Sequence, residues 1–196
     1  MSGRVHISLG LPPSLRTEAA AIYWQAFGGK LGRVMGPDLR AKQFLGRVIR
    51  ADHVLVARDE AGGLLGLAGF KTPQGSFAGG TWADMRAVYG LAGLMWRAPL
   101  LALLSREVDN DRFLVDGICV TPAARGHGVG SALMAAIEDE ARARGYRYVR
   151  LDVIDSNWRA RALYERLGYM AIKTVPLGLL RHAFGFDAAI TMVKPL

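Results

Sequence analysis

The sequence has little cysteine and lacks the usual signals for export or metal binding. Cys119 is its single cysteine, so an intramolecular disulfide is excluded, which suits a reducing compartment and predicts a cytoplasmic location. Residues 1–20 contain no continuous apolar run of the kind found in a signal peptide, so none is predicted. The histidines and the cysteine show no metal-ligand spacing. We therefore expect no bound metal.

A long uninterrupted apolar run is also missing. The strongest candidate for a membrane span, residues 87–104, holds Arg97 and Pro99 near its middle together with two glycines. A spanning helix needs about 20 apolar residues. Because proline has no N–H to donate within a continuous helix, this segment predicts a pair of short buried helices broken at Pro99. No association with a membrane is expected.

Positive charge is in excess. The chain has 25 lysines and arginines against 17 acidic residues, a formal net charge of +8, which favours phosphorylated cofactors, nucleic acid or anionic surfaces as partners. The basic run at residues 141–150 is compatible with nucleic-acid binding. A solvated helix end and strand edge explain that run equally well, and a phosphorylated cofactor would also use the charge. We expect no nucleic-acid partner.

The spacing of apolar residues predicts one mixed α/β sheet with helices packed on it, in a single domain over residues 1–196. The predicted helices cover residues 15–27, 38–50, 81–106 and 129–144, and a further one follows residue 157 and ends at Gly168. The predicted strands cover residues 4–9, 53–59, 64–71, 112–120, 146–154, 170–175 and 188–193.

A glycine-rich loop, RGHGVG at residues 125–130, joins an apolar strand to a helix. The first N–H groups of a helix lack internal partners and lie at the positive end of its dipole, so they attract anions. Glycines let the backbone turn its amides inward, and Arg125 adds a cation. No lysine follows as in a P-loop, and the spacing differs from the G-x-G-x-x-G fingerprint. The loop therefore predicts a phosphate or pyrophosphate site.

Residues 113–169 resemble the acetyl-CoA core of the GNAT superfamily of N-acetyltransferases. The matching pieces are ICVTP at 118–122, RGHGVG at 125–130, LDV at 151–153, and SN at 156–157 followed by ALYERLGY at 162–169. The resemblance implies a mixed, mostly antiparallel central sheet that is splayed between its fourth and fifth strands and flanked by helices. It also implies transfer of acetyl from acetyl-CoA, the co-substrate, to a primary amine by direct attack in a ternary complex.

The same resemblance implies a donor site. The backbone of Ile118, Cys119 and Val120 would pair with the pantetheine arm, and the Val120 amide would stabilise the tetrahedral oxyanion. The pyrophosphate would be held by Arg125, Gly126, His127, Gly128, Val129, Gly130 and Ser131. As a side chain, His127 is expected to face solvent, and Cys119 is expected to be a small core residue and not a nucleophile.

Four further residues are implied to act near the thioester. Asn157 would hydrogen-bond the pantetheine, although it could also be only an N-cap. Tyr164 would protonate the leaving thiolate, although its place on an apolar helix stripe also suits a core residue. Asp152 is the preferred general base and Asp116 the alternative, since a protonated amine cannot attack. Each carboxylate could instead be structural, with Arg150 or Arg159 as a partner for Asp152.

The chain departs from the family between the third and fourth strands, where a short turn is usual. Here residues 72–111 form an apolar helical insert in which Trp82, Tyr89, Leu94, Met95 and Trp96 dominate. The insert could form a wall of an apolar acceptor pocket or a homodimer interface. Residues 176–187 are a second candidate wall.

An alternative function is a catalytically inactive acyl-CoA-binding sensor or regulatory module that has kept the loop and lost the chemistry. The presence of both Asn157 and Tyr164 counts against this alternative.

Overall fold

The computed structural model describes residues 4–104 and 111–196. Its strands are β1 (His6–Leu9), β2 (Val54–Arg58), β3 (Leu64–Thr72), β4 (Gly75–Ser76), β5 (Arg112–Val120), β6 (Tyr148–Ile154), β7 (Met170–Pro176) and β8 (Ala188–Pro195). Its helices are α1 (Arg16–Met35), α2 (Asp38–Val48), α3 (Trp82–Leu104), α4 (Val129–Ala143), α5 (Trp158–Arg166) and α6 (Arg181–Phe184).

The strands form a single mixed sheet in the order β1-β2-β3-β5-β6-β8-β7, and β4 pairs with β3 outside this path. The β5–β6 pair is parallel, whereas the other pairs are antiparallel. The predicted mixed, mostly antiparallel sheet flanked by helices is confirmed.

Two hydrophobic cores cover the two faces of the sheet. Successive side chains of β2 point to opposite faces of the sheet. Val54 and Val56 belong to the core with α1, α2 and α3, and Leu55 and Ala57 belong to the core with α4 and α5. We call these sides the α1 face and the α4 face. These four β2 side chains are almost fully buried, and a valine or leucine side chain contributes about 1.5–3 kcal/mol when it leaves water.

The first helix was predicted to end at residue 27, before Gly28, and it is longer in the structure. α1 runs on to Met35. A Cβ atom at Gly28 would lie 3.0 Å from the Trp24 ring, so the missing side chain makes room for the buried indole. That packing outweighs the cost of about 1 kcal/mol for a glycine inside a helix.

The prediction for the insert was right about two helices and wrong about their junction. α3 is interrupted at Gly90, whose φ of 71° favours glycine. Pro99 lies inside the second segment, where it is exposed, and water can solvate the carbonyl that lacks a helical donor. No helix among the described residues is long and apolar enough to cross a membrane.

The insert is also only partly buried, contrary to the prediction of buried helices. Tyr89 and Leu94 pack in the core of the α1 face, whereas Trp82 and Met95 are 67% and 68% exposed and Trp96 is 45% exposed. Residues 105–110 of the predicted insert lie outside the described residues. A homodimer formed through the insert, residues 72–111, stays a prediction, which sedimentation analysis would test.

Candidate active site

The parallel pairing of β5 with β6 ends early. It joins Arg112 to Tyr148, Phe113 to Val149 and Leu114 to Arg150. Along these two fully described strands no later pair is formed, although β5 continues to Val120 and β6 to Ile154. The second half of β5 therefore presents an open backbone edge on the side of β6.

A β-bulge lies where this edge begins. Opposite β3, Gly69 pairs with Gly117 and Phe70 pairs with Val115, so Asp116 is the extra residue. An extra residue interrupts the alternation of side chains. As a result Asp116 and Gly117 both face α1, where a Cβ atom at Gly117 would lie 2.8 Å from Phe27.

The alternation after the bulge determines which amides reach the open edge. The Thr121 amide donates to the Leu65 carbonyl at 2.9 Å, and alternate residues of a strand point their amides the same way. The Cys119 amide is therefore directed at β3, whereas those of Ile118 and Val120 point to the open edge. Of the three predicted pantetheine contacts on this strand, Ile118 and Val120 have suitably directed amides.

The glycine-rich loop lies at the end of this edge and forms the N-terminus of α4. Gly126 and Gly128 have φ values of 77° and 79°, a left-handed conformation that favours glycine. The first helical bond runs from Ala132 N to Gly128 O at 3.0 Å. The amides of residues 129–131 precede it and lack acceptors within the helix. The loop thus has the backbone of an anion site.

Two side chains of the loop contact nearby backbone carbonyls. Arg125 Nε donates to the Val120 carbonyl at 3.2 Å, and His127 Nδ1 lies 2.9 Å from the Arg125 carbonyl. Both side chains are exposed, as expected for His127. Arg125 therefore lies beside the open edge of β5.

Asn157 and Tyr164 are both on α5. Asn157 is the N-cap, and its Oδ1 accepts a hydrogen bond from the Ala160 amide at 3.3 Å, which confirms the predicted capping role. Tyr164 is 6% exposed and packs edge-to-face with Tyr169, with 6.0 Å between ring centroids. Burial raises the pKa of Tyr164 to about 12, so its hydroxyl keeps its proton at neutral pH.

The two predicted acidic residues lie at corresponding positions of the diverging strands. The last β5–β6 pair joins Leu114 to Arg150, and Asp116 and Asp152 are each two residues further on. Both line one cavity of about 790 Å³. The structure therefore brings the two candidate bases together where the strands part.

Each carboxylate also has protein partners. Asp116 Oδ2 accepts hydrogen bonds from Ser76 Oγ at 2.6 Å and from the Ala78 amide at 3.1 Å. Asp152 Oδ1 accepts one from Thr191 Oγ1 at 2.5 Å. The other oxygen of Asp152 lies 3.6 Å from Arg150 Nη2, which is one of the two partners predicted for it.

A third polar group of the cavity was missed by sequence reasoning. Tyr23 of α1 lines the same cavity, and burial, followed by the charge of Asp116, raises its pKa well above the usual value. Tyr23, Ser76 and Thr191 lie far from the acidic residues in the sequence, and no motif marks them. Only the pairing of strands and the packing of α1 bring them together.

The lone cysteine is a core residue. The Cys119 side chain is buried on the α1 face, and burial raises the pKa of its thiol to about 12. Because the thiolate is the nucleophilic form, this environment opposes a nucleophilic role, in line with the expectation. Among the described residues no group of His, Cys, Asp and Glu is arranged to hold a metal ion.

Similarity to known proteins agrees with this arrangement. The Acetyltransferase (GNAT) family model matches residues 17–169. Streptothricin acetyltransferase of Streptomyces lavendulae is 37% identical over 68 residues, which are 35% of this chain and 36% of that protein. Mycothiol acetyltransferase of Beutenbergia cavernae is 47% identical over 53 residues, 27% of this chain and 18% of that protein. The matches thus span about a third or less of these relatives.

Solved structures of similar fold extend over nearly the whole chain. A mosquito arylalkylamine N-acetyltransferase like 5b has a TM-score of 0.67 at 22% identity, covering 98% of this chain and 100% of its own. A GCN5-related N-acetyltransferase from Kribbella flavida has a TM-score of 0.63 at 19% identity and covers 98% of both chains. Because the family model covers more than half of the sequence and the fold agrees, the chain belongs to the GNAT family of acetyltransferases.

Proposed function

We propose that this protein transfers the acetyl group of acetyl-CoA to a primary amine by direct attack within a ternary complex. One observation carries the proposal: the open edge of β5 connects an anion site at α4 with a cavity that contains two carboxylates. The family uses acetyl-CoA as co-substrate. Holding the thioester and the amine side by side would supply much of the rate acceleration.

The donor would lie along the open edge. The pyrophosphate would bind the amides of residues 126–131 and the Arg125 guanidinium, and the pantetheine arm would extend the sheet along Ile118 and Val120. Because Arg125 Nε donates to the Val120 carbonyl in this structure, its side chain would have to turn away for the arm to pair there. Asn157 would donate its side-chain NH₂ to the pantetheine while its Oδ1 caps α5.

The reaction would begin with loss of a proton from the ammonium form of the acceptor. Asp152 is our preferred base and Asp116 the alternative, since both line the cavity beside the open edge of β5. The amine nitrogen then attacks the thioester carbon, and the Val120 amide stabilises the resulting oxyanion. When the C–S bond breaks, Tyr164 donates its proton to the thiolate, and the second proton, which the acetylated nitrogen loses, returns the Tyr164 hydroxyl to its protonated form through solvent. The pKa of about 12 of Tyr164 keeps its own proton in place beforehand.

Thiol release from acetyl-CoA, measured across a panel of amines, tests this proposal. We expect at least one primary amine to give stoichiometric CoA and an N-acetyl product by mass spectrometry. Streptothricin belongs in the panel because a relative that matches part of the chain is named for it. Tight CoA binding without turnover of any amine would contradict the proposal and favour the acyl-CoA sensor.

A further inference from the structure

We infer that the acceptor is a hydrophobic amine, with one cationic head and a long apolar body, and that α3 limits the length of that body. The inference rests on the proposed amine acetylation and adds the chemical class of the acceptor. It is drawn from the composition and the position of the 790 Å³ cavity.

The cavity lies between the sheet and the helices of the α1 face. Most of its lining is apolar and comes from segments that are distant in sequence: Leu31 and Met35 of α1, Phe44 and Leu45 of α2, Met85 and Leu101 of α3. Phe186, from the segment before β8, adds a further apolar side chain. Both predicted acceptor walls, the insert and residues 176–187, thus contribute to one cavity.

Charge is distributed unevenly in this cavity. Asp116 and Asp152 lie where the cavity meets the sheet, next to the open edge of β5, and Lys71 is the single lysine or arginine among the described lining residues. Arg150, which is not among those lining residues, lies 3.6 Å from Asp152, and the partners described for Asp116, Ser76 and the Ala78 amide, are uncharged. The chain as a whole has a net charge of +8, so two acidic groups here run against the overall charge. A cationic head would be attracted to this end, and an anionic one would be repelled.

The part of the cavity that is lined by α1, α2 and α3 has no charged side chain among its described lining residues. An apolar body placed there would leave water and contact Met85, Leu101 and Phe186, whereas a polyamine or a sugar would lose hydration without compensating partners. The volume lies within the range of about 300–1,000 Å³ that is typical of sites for small organic ligands. An amine of a few carbon atoms would leave most of it unfilled.

A series of straight-chain primary amines from propylamine to decylamine tests the inference. At saturating acetyl-CoA we expect kcat/KM to rise about fourfold for each added methylene, which corresponds to the free energy of moving a methylene out of water, until the cavity is filled. A flat or falling series, or higher turnover of spermidine than of octylamine, would overturn the inference. If no amine reacts, the proposed function itself fails, so the two failures are distinguishable.

A matched pair of alanine variants locates the limit on length. Ala98 lines the cavity, whereas Ala92, on the same helix, is exposed and is absent from the lining. Ala98→Phe should raise the KM for octylamine about tenfold and leave that for propylamine within about twofold, and Ala92→Phe should change neither. Equal effects of both variants, or none from Ala98→Phe, would contradict the assignment.

A second variant covers the case in which Ala98→Phe disturbs the helix. Ala102 lines the cavity and is itself exposed, so a larger side chain there threatens packing less. Ala102→Phe should shift the preferred amine to a shorter chain while the melting temperature stays within a few degrees of wild type. An unchanged length preference in this folded variant would overturn the inference.

The head group can be tested with unreactive ligands. Octyltrimethylammonium keeps the positive charge and cannot be acetylated, and octanoate has the same chain with a negative charge. We expect the ammonium compound to inhibit competitively against octylamine at concentrations at least about tenfold lower than octanoate. Equal inhibition by the two would contradict recognition of a cation by Asp116 and Asp152.

Discussion

The predicted donor side and the proposed acceptor side of this molecule are built in different ways. The predicted donor site comes from one stretch of chain between Ile118 and Tyr164, in which β5, the glycine-rich loop, α4, β6 and α5 follow one another. The proposed acceptor cavity draws its lining from α1, α2, α3, the β3–β4 hairpin and three further strands. A local site leaves a motif in the sequence, and a site assembled from distant elements does not. The two sides should therefore respond separately to mutation.

Gly128→Val is expected to have the largest effect, with a loss of CoA affinity and no change in amine affinity. A branched side chain at a φ of 79° would be strained and would project into the predicted pyrophosphate site, so CoA affinity should fall by at least about 100-fold. Isothermal titration calorimetry with CoA measures this. Binding of an apolar amine to the acceptor cavity should be unchanged, if the two sides are separate.

Gly145→Val is the matched control. Gly145 follows the other end of α4 with a φ of 81°, and a Cβ atom there would also meet open space. We expect a similar loss of thermal stability with CoA affinity intact. If this control weakened CoA binding as strongly as Gly128→Val, the loop assignment would fail and strain alone would explain the effect.

Tyr164→Phe should reduce kcat by about 100-fold, the typical contribution of a general acid, with CoA affinity within about threefold of wild type. Burial raises the pKa of Tyr164 to about 12, so the hydroxyl stays protonated at lower pH. Loss of its proton should therefore not lower the rate of the wild-type enzyme up to about pH 10. The matched control is Tyr169→Phe, which removes a hydroxyl that donates to Glu138. An unchanged kcat in Tyr164→Phe would make Tyr164 a core residue only.

Asp116→Asn and Asp152→Asn distinguish the general base from the carboxylate that only binds the amine, at the place where the two sides meet. If Asp152 is the base, its variant should lower kcat by about 100-fold with little change in the KM of the amine. Asp116→Asn should mainly raise that KM and destabilise the protein by about 1–3 kcal/mol, because Ser76 and the Ala78 amide would lose a charged acceptor. Steady-state kinetics and urea unfolding separate these effects, and an exchange of the two patterns would make Asp116 the base.

The smallest effect is expected at the start of α3. Thr81 Oγ1 accepts from the Asp84 amide at 3.2 Å, and Asp84 Oδ2 accepts from the Thr81 amide at 3.0 Å, which is a capping box. Thr81→Ala should cost about 1 kcal/mol in urea unfolding and leave CoA affinity unchanged. A loss of CoA affinity would mean that the insert and the donor site are coupled.

The same cap should make stability depend on pH. Hydrogen bonds from Thr81, then from Arg47, lower the pKa of Asp84 to about 2 from 3.8. A lowered folded pKa stabilises the protein above pH 4, and that contribution is lost as the pH falls from 4 to 2. The stability difference between wild type and Asp84→Asn should therefore shrink over this interval, whereas a constant difference would contradict the shift.

Sequence reasoning succeeded where structure is set locally. The alternation along the strands, the glycine loop before α4 and the N-cap at Asn157 depend on neighbouring residues, so the sheet and the elements that carry the predicted donor residues could be foreseen. The ion pair Arg150–Asp152 lies within one strand, so it could also be predicted from the sequence.

The failures came from tertiary packing. Gly28 stays helical because the Trp24 ring lies against it, and α3 breaks at Gly90 while Pro99 is accommodated. The contact of Ser76 with Asp116 joins residues 40 positions apart, and nothing in the local sequence indicates it. For the same reason the apolar cavity could be suspected from the composition of the insert, but its lining could not be named.

The central claim is that the two sides hold acetyl-CoA and the amine at the same time, so that the amine attacks the thioester directly. Initial velocities measured over a matrix of acetyl-CoA and octylamine concentrations test it. The account predicts intersecting lines in double-reciprocal plots and retained turnover in Cys119→Ala. Parallel lines, together with an acetylated form of the protein detected by mass spectrometry in the absence of amine, would contradict it.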